Sequence, residues 1–313
     1  MSKDLRKKFV NRFVWLIYCF LRFVGRLLSM GLAYRLAAVM GGLTYFLAGR
    51  HRRTACDSLA TAFPEMGRRQ KKAIAVGYFI FLVQALMEFI KFLDDADLTK
   101  ASVALEGRRN LDQALAAGKG VVLFTAHLGN FPLMVYALAC YGYPVNIVLR
   151  PLKDRIAGDH LDRLMLSKKV VPIYSYPRRE CVVSIIEALR RNEIVIVLAD
   201  QNFGTGGVWI KFFGHLAATP TGPAVLAGRT GAALMGCYIN REGTALHHVR
   251  LLPPVAMDQR PDKQEAVFLN TVKITRAIES WIKEHPGYWS WIHKRWKSQP
   301  SPADIETQFM VEK

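Results

Sequence analysis

The chain has 313 residues, 51% of them apolar, enough to bury a sizeable core in one large domain or two small ones and to exclude wholesale disorder. Its 43 Lys and Arg against 25 Asp and Glu leave a formal charge of +18, which must face something negative: nucleic acid, an anionic leaflet or an acidic carrier protein. Cys19, Cys56, Cys140, Cys181 and Cys237 form no CxxC pair, which argues against a disulfide framework or a zinc site and for reduced, mostly buried thiols.

Arg6, Lys7 and Lys8 precede an apolar stretch over residues 9–49. Arg12, Arg22, Arg26 and Arg35 interrupt it, and its charge-free runs, 13–21 and 36–49, fall short of the roughly 20 residues a crossing needs. At about 100° per residue, Lys8, Asn11, Arg12, Arg22, Arg26 and Ser29 gather within an arc of about 100°, while the rest of the cylinder is aromatic and aliphatic. That pattern fits a helix lying in a bilayer interface with a basic stripe toward the headgroups. A buried helix whose arginines pair inside the fold is the alternative. No small-residue cleavage site follows a short apolar core, which argues against a cleaved signal peptide. Residues 1–50 are therefore expected to be one or two membrane-associated helices, closed by the cluster Arg50, His51, Arg52 and Arg53. A short helix over 54–63 stops at Phe63-Pro64. Arg68, Arg69, Lys71 and Lys72 open a long amphipathic helix that ends near Phe92.

The pattern then changes. Short apolar runs at 121–126, 145–149, 170–173, 194–199, 232–239 and 248–252 alternate with helical stretches at 131–140, 159–167, 180–191 and 221–230. Such alternation predicts an α/β fold, with a largely parallel central sheet covered by helices on both faces. A helix over 262–284 and an aromatic tail close the chain, so residues 51–313 are expected to form one α/β domain. Gly204, Gly206, Gly207 and Gly214 frame an apolar hairpin over 208–213, a weak signal for a flexible ligand loop.

Ligands of open α/β sheets sit at the carboxyl ends of the strands. His127 closes the run 121–126, and Asp200 closes the run 194–199. Gly129 and Asn130 follow the histidine. Asn130 is a plausible N-cap, and Pro132 fits a first helical turn, so free N–H groups there would face the space in front of His127 and hold a developing oxyanion. Imidazole titrates near neutral pH, and a carboxylate on its second nitrogen fixes the tautomer and raises the basicity, which suits general-base catalysis. Asp200 is the candidate orienter; a hydrogen-bonded structural histidine is the competing reading. Arg150 ends the run 145–149, a place for an anionic headgroup or a pantetheine phosphate, or simply a surface charge. No G-x-S-x-G elbow occurs and no cysteine sits beside a strand-end histidine, so direct attack by a bound acceptor fits better than an acyl-enzyme. Nucleic-acid binding is the weakest reading of the charge, because the basic residues interleave with membrane-type aromatics and no recognised motif appears.

Thr125-Ala126-His127-Leu128-Gly129-Asn130-Phe131 resembles the histidine motif of the bacterial lipid A lauroyl/myristoyl acyltransferases, within the lysophospholipid acyltransferase superfamily. Leu198-Ala199-Asp200-Gln201, Gly207-Val208, Phe212-Phe213-Gly214, Ala217-Ala218-Thr219 and Thr221-Gly222-Pro223-Ala224 are similar to that family's second block. Arg150-Pro151-Leu152 and the tail from Trp289 to Trp296 agree as well. The resemblance implies an α/β acyltransferase at the cytoplasmic face of the inner membrane, with an acyl carrier protein or coenzyme A thioester as donor, a lipid-anchored acceptor, no cofactor and no metal. It makes His127 and Asp200 the candidate catalytic residues and Gly129, Asn130, Arg150 and Gln201 the candidate substrate-binding ones. One departure stands out. The family pattern has Glu or Asp five residues after the histidine, and Pro132 occupies that place here. Three options follow: Asp200 does the work, the histidine works alone and slowly, or the protein has turned to another acceptor or lost activity.

Overall fold

The computed structural model describes residues 28–304 apart from 94, 205, 245 and 303; Cys19 and the basic stripe between Lys8 and Arg26 lie outside them. Helix α1, Met30–Leu47, starts at Ser29, whose hydroxyl accepts the Leu32 N–H. The chain breaks at Ala48 (φ −85°, ψ 57°) and continues as α2, Gly49–Ala62. The basic cluster at 50–53 thus opens α2 instead of closing α1. Helix α3, Arg68–Phe92, packs along α1. The two approach closely at Gly41, where a Cβ would stand 2.4 Å from Ile80 Cα. Ala33, Ala37, Gly41 and Tyr45 are the buried residues of α1, one per turn. The outer face, including Val39, Leu43, Phe46 and Leu47, is exposed. By length and composition, two described helices, α1 and α3, are long and apolar enough to cross a bilayer.

Helix α4 (Ala96–Ser102), β1 (Val103–Glu106) and α5 (Arg108–Ala116) lead into the alternating region: β2 (Val121–Thr125), α6 (Phe131–Cys140), β3 (Val145–Leu149), α7 (Arg155–Ser167), β4 (Val170–Tyr174), α8 (Arg178–Arg190) and β5 (Ile194–Leu198). A hairpin of β6 (Val208–Phe212) and β7 (His215–Thr219) follows, then α9 (Gly222–Thr230), β8 (Ala233–Glu242), β9 (Leu246–Pro254) and α10 (Lys263–Glu284). Seven strands form one sheet in the order β1-β9-β8-β2-β5-β3-β4. Strands β8, β2, β5, β3 and β4 run parallel, while β9 is antiparallel to β8 and carries β1 parallel to itself.

The expected α/β architecture is what the chain adopts. Strand β2 shows why its run reads as wholly apolar. Val122 and Phe124 enter one buried cluster, Val121 and Leu123 the other, so both faces of the pleat are covered. The β6–β7 hairpin is not a loose loop. Phe212 and Phe213 are buried, and the Trp296 indole donates to the Phe212 carbonyl at 3.2 Å, fastening the hairpin to the tail. Among the described cysteines, all free, Cys181 and Cys237 are buried and Cys56 and Cys140 half-buried.

Candidate active site

Strands β2 and β5 are paired in register, with Thr125 opposite Leu198. His127 and Asp200 each stand two residues further on, so the ladder itself brings them side by side. Asp200 Oδ1 lies 2.8 Å from His127 Nδ1, and Oδ2 accepts the His127 backbone N–H at 3.0 Å. The Trp289 indole donates to the same Oδ2 at 2.7 Å. The carboxylate side chain is only 1% exposed, and three donors surround it. Burial alone would raise its pKa; the charge and hydrogen bonds of His127, with that of Trp289, outweigh burial and hold it below the usual carboxylate range.

The imidazole is 28% exposed. Burial alone would pull it down, but Asp200's charge and hydrogen bond reverse the direction and lift His127 above the ordinary histidine value. A carboxylate on Nδ1 makes that nitrogen the donor and Nε2 the acceptor. The Gln201 amide donates to Nε2 at 3.2 Å, so an incoming hydroxyl must displace or share this contact. No Ser or Cys side chain hydrogen-bonds to His127 among the described residues; Ser290 is paired with the Tyr78 hydroxyl at 3.3 Å.

A cavity of about 580 Å³ opens beside the imidazole. Leu82, Leu86 and Phe89 of α3, Phe131 and Pro132 of α6 and Met165 of α7 give it an almost wholly apolar wall. Leu82 and Leu86 are also part-exposed on the outer surface of α3, so the cavity and that surface share residues. Such a slot suits a hydrocarbon chain, held by removal of apolar area from water.

The turn after His127 is rigidly held. Gly129 has φ +64°, and a Cβ there would stand 2.0 Å from the Ile239 carbonyl oxygen of β8, so only glycine fits. Its N–H donates to the Tyr288 carbonyl at 3.0 Å, and the Ser290 N–H donates to the His127 carbonyl at 3.0 Å, forming a small antiparallel bridge between Leu128 and Trp289. Asn130 caps α6 by accepting the Leu133 N–H at 3.3 Å. Its amide group donates to Ala85 O and to Glu88 Oε2, both at 2.9 Å. Glu88 is fully buried and also accepts from Arg241 Nη1 at 2.7 Å and from the Tyr34 hydroxyl. The Gly129 N–H and the Asn130 side chain, expected at the substrate, are therefore bound to the protein, although both residues border the cavity. Arg150 stands exposed just beyond β3, and Pro132 occupies the second position of α6.

Neither Trp289 nor Glu88 carries a local sequence pattern strong enough to mark it as a site residue. The indole's part in holding Asp200 has a faint signature, a tail in which tryptophans alternate with polar residues. Glu88 left one too, a lone acid in an apolar helix. His293, in the same tail, accepts the Asn202 N–H at 3.0 Å through Nε2; burial lowers its pKa, against the pull of Asp200. Two residues on, the Arg295 guanidinium is buried and donates to Ala218 O and Thr219 Oγ1 at 2.5 and 2.6 Å. Burial brings its pKa down to about 10, partly offset by Asp200.

A histidine held by a carboxylate at the carboxyl edge of a parallel sheet, beside an apolar slot, has the geometry that general-base chemistry on a substrate with a hydrocarbon chain requires. Residues 2–298 match the model of the bacterial lipid A biosynthesis acyltransferases, and the chain belongs to that family. It is 25% identical over 276 residues to the lipid A biosynthesis lauroyltransferase of Escherichia coli, covering 85% of this chain and 86% of that protein. A palmitoleoyltransferase of lipid A biosynthesis from the same organism is 25% identical over 259 residues, 80% of each chain. The phosphatidylinositol mannoside acyltransferase of Mycobacterium tuberculosis is 30% identical over 199 residues, which span 63% of this chain and 61% of that protein's length.

Proposed function

We propose that this protein transfers a fatty acyl chain from an acyl carrier protein or coenzyme A thioester to a hydroxyl of a lipid-anchored glycolipid, a lipid A precursor or a related molecule. The observation that carries the proposal is the 2.8 Å contact between His127 and Asp200 at the mouth of an apolar cavity. The acyl chain lies in the cavity. His127 Nε2 takes the proton from the acceptor hydroxyl as its oxygen attacks the thioester carbonyl carbon. Collapse of the tetrahedral intermediate breaks the carbon–sulfur bond, and the departing thiolate takes the proton from the imidazolium, leaving ester and free thiol. Asp200 stabilises the imidazolium through Nδ1. Gln201, through its contact with Nε2, and the turn at Gly129–Asn130 border the position of the reacting groups, and Arg150, exposed beyond β3, is proposed to meet an anionic part of the substrate. Family membership supports acyl transfer. The glycolipid class of acceptor is supported by the names of the relatives, which span lipid A and a mannosylated phosphoinositide.

The exposed apolar face of α1 and the basic composition support a place at the cytoplasmic face of the inner membrane, with residues 1–50 as the membrane-associated part and the remainder as the transferase domain. The test is transfer of acyl chain from a thioester to lipid extracts, read by lipid mass spectrometry, together with His127→Ala. Loss of at least ~10²-fold with the fold intact is expected, the usual scale for a general base. A stable acyl-enzyme trapped on a Ser or Cys would refute direct attack. Pro132, where the family pattern has an acid, favours a second reading, a lipid-binding relative with altered or lost chemistry; a thioester that binds and is never turned over in a single-turnover assay would support it.

A further inference from the structure

A second hollow, sharing no lining residue with the acyl cavity, adjoins the C-terminal end of α1. It encloses about 840 Å³ between the start of α2 and the tail, and Arg50, Arg52, Arg53, Lys294 and Lys297 line it against a single acid, Asp57. Four of these cations, Arg50, Arg53, Lys294 and Lys297, make no ion pair among the described residues, whereas Arg52 donates to the Phe46 carbonyl at 3.2 Å and lies over the Tyr45 ring. The arrangement is unfavourable by itself. The first turn of α2 has no acidic residue and no side-chain cap at Ala48, yet the helix dipole there is already positive. Arg295 adds a second, independent observation. It lines the same hollow, is 1% exposed, and its Nε has no hydrogen-bond partner. Such a concentration of like charge in one hollow raises the local potential and favours an anion there.

The surroundings identify the source of that anion. Leu43, Phe46 and Leu47, exposed at 56%, 66% and 84%, lie on the last turns of α1 and lead directly into Gly49 and Arg50 at the hollow's rim. Apolar side chains beside clustered arginines match a lipid at its glycerol level, with acyl chains against the apolar turns and the phosphate among the cations. Ser58 adds a hydroxyl to the lining, while those of Thr54 and Thr61 donate to the Arg50 and Asp57 carbonyls of their own helix.

We propose that this basic hollow is a binding site for the phosphate-bearing headgroup of an anionic membrane lipid, separate from the acyl-transfer site. The proposal deepens the membrane part of the reading above and is independent of the transfer chemistry. Seated there, the lipid fixes how far α1 sinks into the leaflet and how the protein is turned about its own axis. The acyl cavity, bordered by Leu82 and Leu86 of the neighbouring α3, is thereby held facing the same membrane.

The test uses the full chain and a fourfold variant, Arg50→Gln, Arg53→Gln, Lys294→Gln and Lys297→Gln, against a control that removes as many charges elsewhere: Lys119→Gln, Arg179→Gln, Arg190→Gln and Lys263→Gln. All eight side chains are exposed and outside the ion pairs of the described residues, and a thermal melt of each variant verifies the fold. Flotation with neutral phosphatidylcholine vesicles reports membrane association as such. Flotation with vesicles containing phosphatidylglycerol reports the headgroup site. At about fivefold per basic residue near an anionic surface, the hollow variant is expected to lose at least ~100-fold in partitioning to anionic vesicles, with neutral vesicles unaffected. The control charges, on α8, α10 and the turn before β2 and outside the hollow's lining, are expected to change it by less than ~3-fold. Calorimetry with short-chain dihexanoyl phosphatidylglycerol is expected to show one saturable site in the wild type and none in the hollow variant. Equal losses in both variants would replace a site by diffuse charge and overturn the proposal. So would a hollow variant with unchanged lipid binding and weakened binding of free coenzyme A, which would assign the hollow to the donor. Failure of every protein to float on neutral vesicles would instead refute the membrane reading.

Discussion

Asp200→Asn is the most informative single change, because it preserves shape and removes only charge and one acceptor. In the native site Oδ2 accepts two hydrogen bonds, from the His127 backbone and the Trp289 indole, and Oδ1 faces His127 Nδ1. An asparagine has one acceptor oxygen. Kept where Oδ2 now is, it satisfies the backbone and the indole and turns its NH₂ toward Nδ1 at about the present 2.8 Å. Nδ1 must then accept, the ring proton moves to Nε2, and the base is lost. Turned the other way, the NH₂ meets two buried donors at a cost of about 1–3 kcal/mol for each left unsatisfied. The first orientation therefore wins, and catalysis suffers more than folding does. A wrong tautomer costs a triad-type histidine up to about 10⁴-fold in rate. Here a loss of about 10²–10⁴-fold is expected, or ~3–5.5 kcal/mol of transition-state stabilisation. Single-turnover acyl transfer from a thioester, with a thermal melt alongside, measures both quantities. Adding His127→Ala should worsen the rate little further, since residues acting through one proton are non-additive. An Asp200→Asn protein that keeps more than about a third of the wild-type rate, or a double mutant whose losses multiply, would refute the reasoning.

Because Asp200 lifts His127 and the base must be neutral, the acid limb of kcat/KM is expected above the ordinary histidine value of about 6.5 and, in Asp200→Asn, below the wild-type position. The same raised pKa means that protonated His127 stabilises the fold fully below about pH 6.5, and that this contribution fades as pH climbs through the folded value; denaturant titrations should show stability falling where activity rises. Glu88→Gln leaves the Arg241 guanidinium, 11% exposed, without its counter-charge, and should cost about 3–5 kcal/mol in chemical denaturation with little sensitivity to salt; a loss below ~1 kcal/mol would contradict the assigned pair. Phe46→Asp, at an outward position of α1, should leave the thermal midpoint within a few degrees and reduce flotation with vesicles at least tenfold, and unchanged flotation would show that α1 does not touch the leaflet.

The sheet was legible in the sequence because its parallel strands are buried on both faces, so β2 and β5 read as unbroken apolar runs. Once those two runs are neighbours, adjacency of His127 and Asp200 is a matter of counting. The N-cap at Asn130 was legible for a similar local reason. Strand β1, four residues of mixed burial at the sheet's edge, has too little periodicity to announce itself. The boundary between α1 and α2 was misplaced because basic residues usually close helices, and here backbone geometry at Ala48 decides. The partners of the turn after His127 were hidden for a different reason. Tyr288, Trp289 and Glu88 lie far from it in sequence, and their contacts are made by backbone groups and by an acid inside an apolar helix, neither of which leaves a local pattern.

The bridge between Leu128 and Trp289 has a bearing on how the protein comes into being. Its two halves are separated by more than half the chain, and the carboxylate that orients the base is itself held by the later half. During synthesis, the strands bearing His127 and Asp200 can pair while the tail is still in the ribosome, but Asp200 then lacks its indole donor and the turn at Gly129 lacks its carbonyl partner. The orienting geometry closes only when Trp289 docks. A nascent chain therefore cannot complete the cradle around Asp200 until the sheet and the tail have come together.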